Sequence, residues 1–376
     1  MKERISRLLH DMYADVSSRF GRSVRVIHEP LSGSEIKIDR TQPTVWHNSS
    51  EHDIYGDTIC TTEVFHPHRS ILMLDNAFVT GSEALVFVAP NTLLRPDKSQ
   101  TMISDRKIRR PIQVLARKEA GNIFHMGGRG VGNRGHFLCE HLPRLLLARK
   151  ALGFDFPLRM MLTPDHSDWQ SEYLALFGES LLDSVKGTRG TIQCEHLVYL
   201  PNLSNSCTAD LAEPNLYKEL RKRILSKCTN HQTSGEIFLS RKDASSRRLL
   251  NEDAVYELCK ERWPNLIRIC LTGMPLPKQI EMFASARVLI GAHGQAFHLG
   301  LFSTDALIVQ LVPGERYPTN EYVQWATNYE RLGLINMNKC VSLYAGTGPT
   351  STDWSFPLQA FRSQLNLIIE KLGFTG

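Results

Sequence analysis

Much is missing from this 376-residue chain. Its eight cysteines, at 60, 139, 194, 207, 228, 259, 270 and 340, form no C-x-x-C pair and follow no regular spacing. That argues against a cysteine zinc site and a disulfide framework, and leaves reduced thiols in a cytosolic protein as the expectation. No apolar run approaches the ~20 residues that span a bilayer; Ala84 to Ala89 is among the longest, so no membrane-crossing segment is expected. The N-terminus, MKERISRLLHDMYADV, lacks the continuous apolar centre of a secretory signal and reads as an amphipathic surface helix. There is no internal repeat and no low-complexity tract. Net charge is small too, since 44 Lys+Arg against 39 Asp+Glu leave +5, too little to describe a nucleic-acid-coating protein.

What is present is a globular composition, 42% hydrophobic and 22% charged, in a chain long enough for two domains. Short β-rich runs fill 23–91, with a strand meander over 71–90. A Gly-rich connection, Met126 to Asn133, leads into a helical pattern through Leu138, Leu142, Leu145 and Leu146, which Pro143 should kink or restart. Strands at 158–162 and 196–200 flank a helix at 169–177. A polar stretch over 202–215 marks the domain boundary, which divides the chain into 1–210, 211–350 and a C-terminal helical segment, 351–376, free to pack back across the first domain. The second half alternates more clearly, with helices at 216–227, 251–262, 277–286 and after His293, and strands at 236–240, 266–271, 288–291 and 306–312. That alternation argues for parallel βαβ units. The charge is also uneven, because Lys218 to Arg248 holds nine Lys+Arg and three Asp+Glu, a local +6 that exceeds the surplus of the whole chain.

Three segments carry candidate chemistry. In the first, a strand ending at Ser240 delivers Arg241, Lys242, Arg247 and Arg248 into a loop, at the carboxyl end where open α/β sheets bind ligands. A guanidinium fork suits phosphate, so this is a candidate phosphate clamp; a solvated basic loop is the alternative. Asn251 with Glu252 and Asp253 would make a helix N-cap with first-turn acids, or would add donor contacts. In the second, a strand runs through Gly291 and His293-Gly294 into a helix, which offers backbone N–H groups and a histidine to a diphosphate. A plain strand-turn-helix with a satisfied histidine fits the same residues. In the third, His136 and Glu140 stand four apart and share a helix face, a spacing that suits a general base oriented by a carboxylate, a surface pair or part of a metal site. His66-Pro67-His68 has no acidic partner nearby and reads as a loop feature.

The ordered set of segments resembles the family 61 glycosyltransferases, over about 71–341. The resemblance runs through the meander, Asn133-x-x-His136-Phe137-x-x-Glu140-x-Leu142-Pro143-Arg144-Leu145, Ser240-Arg241, Arg247 to Glu252, Gly291 to Gly294, and Val309 to Pro313. That family includes plant xylan-decorating enzymes, animal O-linked N-acetylglucosaminyltransferases and bacterial polysaccharide biosynthesis proteins. The resemblance implies an α/β fold of GT-B type, with two Rossmann-like domains facing across a cleft. It implies inverting transfer from a nucleotide-sugar, UDP-linked, to a glycan or glycolipid acceptor hydroxyl, with no cofactor, no metal and no nucleic acid. No D-x-D occurs in the chain.

On this basis His136 is the expected base and Glu140 its orienting carboxylate. The expected donor contacts are Arg241, Arg247, Arg248, Asn251, Glu252, Gly291, His293, Gly294 and, as a ribose contact, Gln310. Asn133 and Arg144 line the acceptor side. The expected location is cytoplasmic, with peripheral association at the inner face of a membrane left open. The stretch Gln295 to Leu299 departs from the family's usual G-A-G-L-T-N-like continuation, which keeps a non-catalytic nucleotide-sugar-binding protein as the alternative.

Overall fold

The computed structural model describes residues 25–27, 34–37, 70–81, 84–89, 92–94, 111, 113–128, 130–200, 214–228, 235–314, 329, 332–333, 335–345 and 353–372. The N-terminal helix expected over 1–16, the His66-Pro67-His68 loop and the boundary at 202–213 lie outside these residues. The chain divides into two compact units, one holding 66–206 and the other 207–376.

The first unit is built on a ten-stranded mixed sheet. β1 (Arg25–Ile27), β2 (Ser34–Lys37), β3 (Ser70–Asp75), β4 (Phe78–Thr80), β5 (Leu85–Ala89) and β6 (Thr92–Leu94) form its first half, in which β4, β5 and β6 make an antiparallel meander. β7 (Arg117–His125), β8 (Arg159–Leu162), β9 (Val185–Lys186) and β10 (Thr191–Tyr199) form the second half. β10 joins the halves, pairing antiparallel with β3 and β4 on one side and parallel with β7 on the other. The parallel strands lie in the order β9-β8-β7-β10, which is the 3-2-1-4 order of a Rossmann half-sheet.

Between β7 and β8 the chain makes one α-helical turn (Arg134–His136), a π-helical turn (Phe137–His141) and helix α1 (Leu142–Leu152). Pro143 explains the break. In a continuous α-helix its missing N–H and its ring would meet the carbonyl of Cys139; the wider π turn absorbs that conflict. Helix α2 (Asp168–Phe177) follows β8, starts with a Ser167/Gln170 capping box and ends at Gly178.

The second unit is a parallel sheet in the order β12-β11-β13-β14-β15. Its strands are β11 (Glu236–Leu239), β12 (Ile267–Ile269), β13 (Val288–Ala292), β14 (Leu307–Val312) and β15 (Lys339–Tyr344). Strands covered on both faces read as near-continuous apolar runs, as β13 (VLIGA) and β14 (LIVQLV) do. Helices α3 (Pro214–Leu225), α4 (Glu252–Lys260), α5 (Leu276–Ser285) and α6 (Leu358–Leu372) surround it, with a 3-10 helix (Gln295–Phe302) after β13.

Val288, Ile290, Val309, Leu311, Val341 and Leu343 share one core with Val255, Cys259 and Trp263 and with Phe361, Leu365 and Ile368. α6, which the sequence left free to pack back across the first domain, is thus part of the second unit's own core. Ile308, of opposite parity on β14, lies beneath Gly300 of the 3-10 helix.

Counted along this unit the strand order is 2-1-3-4-5. Such a sheet has its topological switch point between strands 1 and 3, here β11 and β13, and ligands bind there beyond the carboxyl ends. Among the described residues no helix is long and apolar enough to cross a membrane. The six described cysteines are free, and burial raises the thiols of Cys228, Cys259 and Cys194, the last to about 12, which makes them poor nucleophiles.

Candidate active site

The loop after β11 and the turn after β13 both open at the switch point of the second unit. Glu252, buried at the start of α4, turns its carboxylate back onto the end of β11. One oxygen accepts from Ser240 Oγ at 2.6 Å, and the other from the Arg241 backbone N–H at 2.9 Å. Both oxygens of Glu252, expected among the donor contacts, therefore anchor the loop.

The four loop cations divide two and two. Lys242 pairs with Asp253 at 2.7 Å, and Arg268 pairs with the same carboxylate. Arg248 grips Asp353 with Nε at 2.9 Å and Nη2 at 2.6 Å, and its backbone N–H also donates to Asp353 at 2.8 Å. The pair holds the Arg248 guanidinium above and the Asp353 carboxyl below their ordinary ranges. Asn251 stands at the N-cap of α4, but its side chain makes no capping hydrogen bond. Its amide exchanges two hydrogen bonds with the backbone of Phe356, at 2.7 and 3.0 Å. Arg248 and Asn251, both expected among the donor contacts, thus fasten the loop to 353–356.

Arg241 and Arg247 turn the other way. Arg241 bends over its own loop, donating to the Ser246 carbonyl at 3.2 Å, and its guanidinium lies so close to Gly294 that a Cβ there would fall on Nη1. Arg247 takes a left-handed backbone, φ 57°, and its charge reaches His293. His293 is buried: its backbone N–H donates to Leu311 at 2.8 Å, and its Nδ1 lies 3.0 Å from Gln310 Oε1. An amide oxygen only accepts, so Nδ1 carries the proton and Nε2 presents a lone pair.

Burial pushes the His293 pKa down to about 4, and Arg247 and Arg241 push the same way against the bond from Gln310. The ring is neutral at pH 7. Its expected role as a hydrogen-bond donor to phosphate therefore requires a proton that arrives with the anion. Gln310, expected as a ribose contact, is fully buried and sets the tautomer of the ring through Nδ1. Gly291 is a ladder residue opposite Leu239. Tyr329, which no sequence signal marked, packs against His293 at 5.1 Å and edge-on against His298 at 4.4 Å between ring centroids.

In the first unit, His136 Nδ1 lies 3.0 Å from Glu140 Oε1; Glu140 is buried and the imidazole largely so. Gly130, at φ 74°, passes directly over the imidazole, and a Cβ there would collide with the ring. The Gly-rich connection is thus the wall that holds the histidine. Asn133 caps the helix, accepting from the Gly135 and His136 N–H groups at 2.9 and 3.4 Å. Arg144 is buried and donates to the carbonyls of His125 at 3.1 Å and Gly127 at 3.3 Å. Asn133 and Arg144, expected on the acceptor side, therefore brace the loop and its helix. His125, at the end of β7, donates through Nε2 to Ala84 at 2.7 Å, and burial beside Arg144 lowers its pKa to about 3. Among the described residues no group of three His, Cys, Asp or Glu is placed to hold a metal ion.

The model of the Glycosyltransferase 61 family matches residues 135–309. That span takes in His136, Glu140, the whole loop from Ser240 to Glu252 and the Gly291 to Gly294 turn, and supports a glycosyltransferase. No curated protein matches the chain.

Proposed function

We propose that the protein is an inverting family 61 glycosyltransferase of GT-B type. It moves a sugar from a UDP-sugar to a hydroxyl of a glycan or glycolipid acceptor, in surface polysaccharide biosynthesis at the cytoplasmic face of a membrane. One observation carries this reading: Arg241, Arg247 and the His293-Gly294 turn meet at the β11/β13 switch point, inside the segment that matches the family. In this reading the diphosphate lies against the two guanidinium groups and the backbone of the turn, and its negative charge raises the His293 pKa so that the ring becomes a donor. Charge grows on the diphosphate as the glycosidic bond breaks, so cations already in place lower the barrier without reorganisation.

His136 removes the proton from the acceptor hydroxyl as it attacks the anomeric carbon, with Glu140 stabilising the imidazolium that forms. No divalent metal enters this scheme, since the two arginines supply the positive charge. A non-catalytic nucleotide-sugar binder is the second reading, favoured by the departure at 295–299, where the structure has a 3-10 helix.

A thermal-shift screen against nucleotide-sugars tests donor binding, since a ligand at 100 times its Kd stabilises by ~2.7 kcal/mol. Arg247→Ala is expected to weaken donor binding by about tenfold or more. His136→Ala should lower turnover ~100-fold or more and leave donor binding intact. An Arg247→Ala protein that binds donor like the wild type removes the clamp, and unchanged turnover in His136→Ala removes the base. Donor binding without transfer in the wild type, across an acceptor panel, selects the second reading.

A further inference from the structure

The basic stretch 218–248 does not stay together in the fold. Its arginine loop opens at the carboxyl edge of the second sheet, whereas α3 runs to the opposite edge, just before β11 begins. There the second unit has a groove of about 560 Å³, lined by Lys218, Arg221 and Lys222 from α3 and by Thr304, Asn336 and Met337 from the turns entering β14 and β15. Among the described residues no acidic side chain lines it.

Nothing among the described residues neutralises these three cations. Arg221 is planted by a bond from Nε to the Phe302 carbonyl at 3.1 Å, which leaves its two terminal amino groups for the groove. It is half-buried, and burial lowers its pKa with no carboxylate opposing. Lys218 and Lys222 are exposed and enter no ion pair among the described residues. A cation in the last helical turn complements the helix dipole, which accounts for Lys222 and Arg223. It does not account for Lys218 or Arg221, which lie further back along the helix and add like-charge repulsion around one hollow. Among the described residues no carboxylate faces this arrangement, and a planar fork beside two ammonium groups fits phosphate oxygens.

We propose that this groove binds a phosphate-bearing anion, as a site separate from the switch point, supplied either as a free diphosphate or phosphorylated saccharide or as a lipid headgroup. Leu225 and Met337 at its margin offer an apolar surface to whatever carries the phosphate; Met337 is 69% exposed. The groove's chemistry stands whether or not the switch point takes a nucleotide-sugar.

Calorimetric titration of the full chain with inorganic pyrophosphate tests this, with Lys218→Glu/Lys222→Glu as the variant. Both side chains are exposed, so folding is retained, and an unchanged melting profile verifies it. The double variant is expected to lose one pyrophosphate site, or to lose ~tenfold or more in affinity there, and added salt should weaken the wild-type site. Arg247→Ala should leave this site unchanged, which separates it from failure of the switch-point reading. Co-sedimentation with phosphatidylglycerol–phosphatidylcholine vesicles assigns the source: binding lost in the double variant names the lipid headgroup, and binding to pyrophosphate alone names a free ligand. A wild type that binds neither probe, or a double variant that binds both as the wild type does, overturns the proposal.

Discussion

His293 sits between two influences that oppose each other. Burial, with Arg247 and Arg241 beside it, keeps the ring neutral to about pH 4, while the Gln310 carbonyl under Nδ1 favours the protonated form. In the unfolded chain the same ring titrates near its ordinary 6.5. Between pH 6.5 and 4 the unfolded state therefore binds a proton that the folded state does not, and stability falls as pH drops through that window. Gln310→Glu places a carboxylate against Nδ1, which should raise the folded pKa by ~1–3 units. The variant is expected to lose less stability than the wild type between pH 7 and pH 5 in denaturant titrations, and NMR should show the His293 resonances titrating at higher pH. A variant with the wild-type pH slope would mean that Gln310 does not control the ring. None of this was visible in the linear chain, where Gln310 is a polar residue inside an apolar strand, 17 positions from the histidine it sets.

The loop 240–251 shows why residues of like type divide into unlike roles. Arg247 and Arg248 are neighbours in sequence, but the left-handed backbone at Arg247 sends the two side chains apart, one toward His293 and one to Asp353. Arg248→Ala is expected to change stability little, because its ion pair is exposed and screened by solvent, and to change donor affinity far less than Arg247→Ala does. Asn251→Ala leaves the Phe356 backbone N–H and carbonyl without their partners and should cost ~1–3 kcal/mol. Chemical denaturation alongside donor titration tests all three, and equal donor affinities for the two arginine variants would break the division.

Individual elements of this unit were readable in advance, since α3, α4, α5, β13 and β14 fall within a few residues of their hydrophobic patterns. Their period is local and their faces are buried. The partners Asp353 and Phe356 were not readable, because they lie 105 residues away from Arg248 and Asn251. Pro143 likewise announced a break in the helix without specifying a π turn.

At the scale of the molecule, two sheets with separate cores differ in topology. The second sheet's order of 2-1-3-4-5 puts the arginine loop and the Gly291 to Gly294 turn at one switch point, and the alternation of strands and helices made that parallel sheet foreseeable. The first sheet was harder to foresee. β10 serves as an antiparallel partner for the meander and a parallel partner for β7, and no short-range pattern encodes a strand that belongs to both. The small net charge hid a similar division, since the local +6 separates to opposite edges of one sheet.

These placements predict where ligand energy is felt. Saturating UDP-sugar should slow amide exchange most in 240–251 and 291–298 and in the strand ends that carry them, and pyrophosphate in the groove should instead protect 218–226 and 335–339. The strands of the first unit, β3 to β10, should exchange at nearly unchanged rates with donor alone. Hydrogen–deuterium exchange with peptide resolution measures all three regions in one experiment. Protection centred on β7 and 134–141 with donor alone would move the nucleotide-sugar site to the first unit and leave the arginine loop without its assigned role.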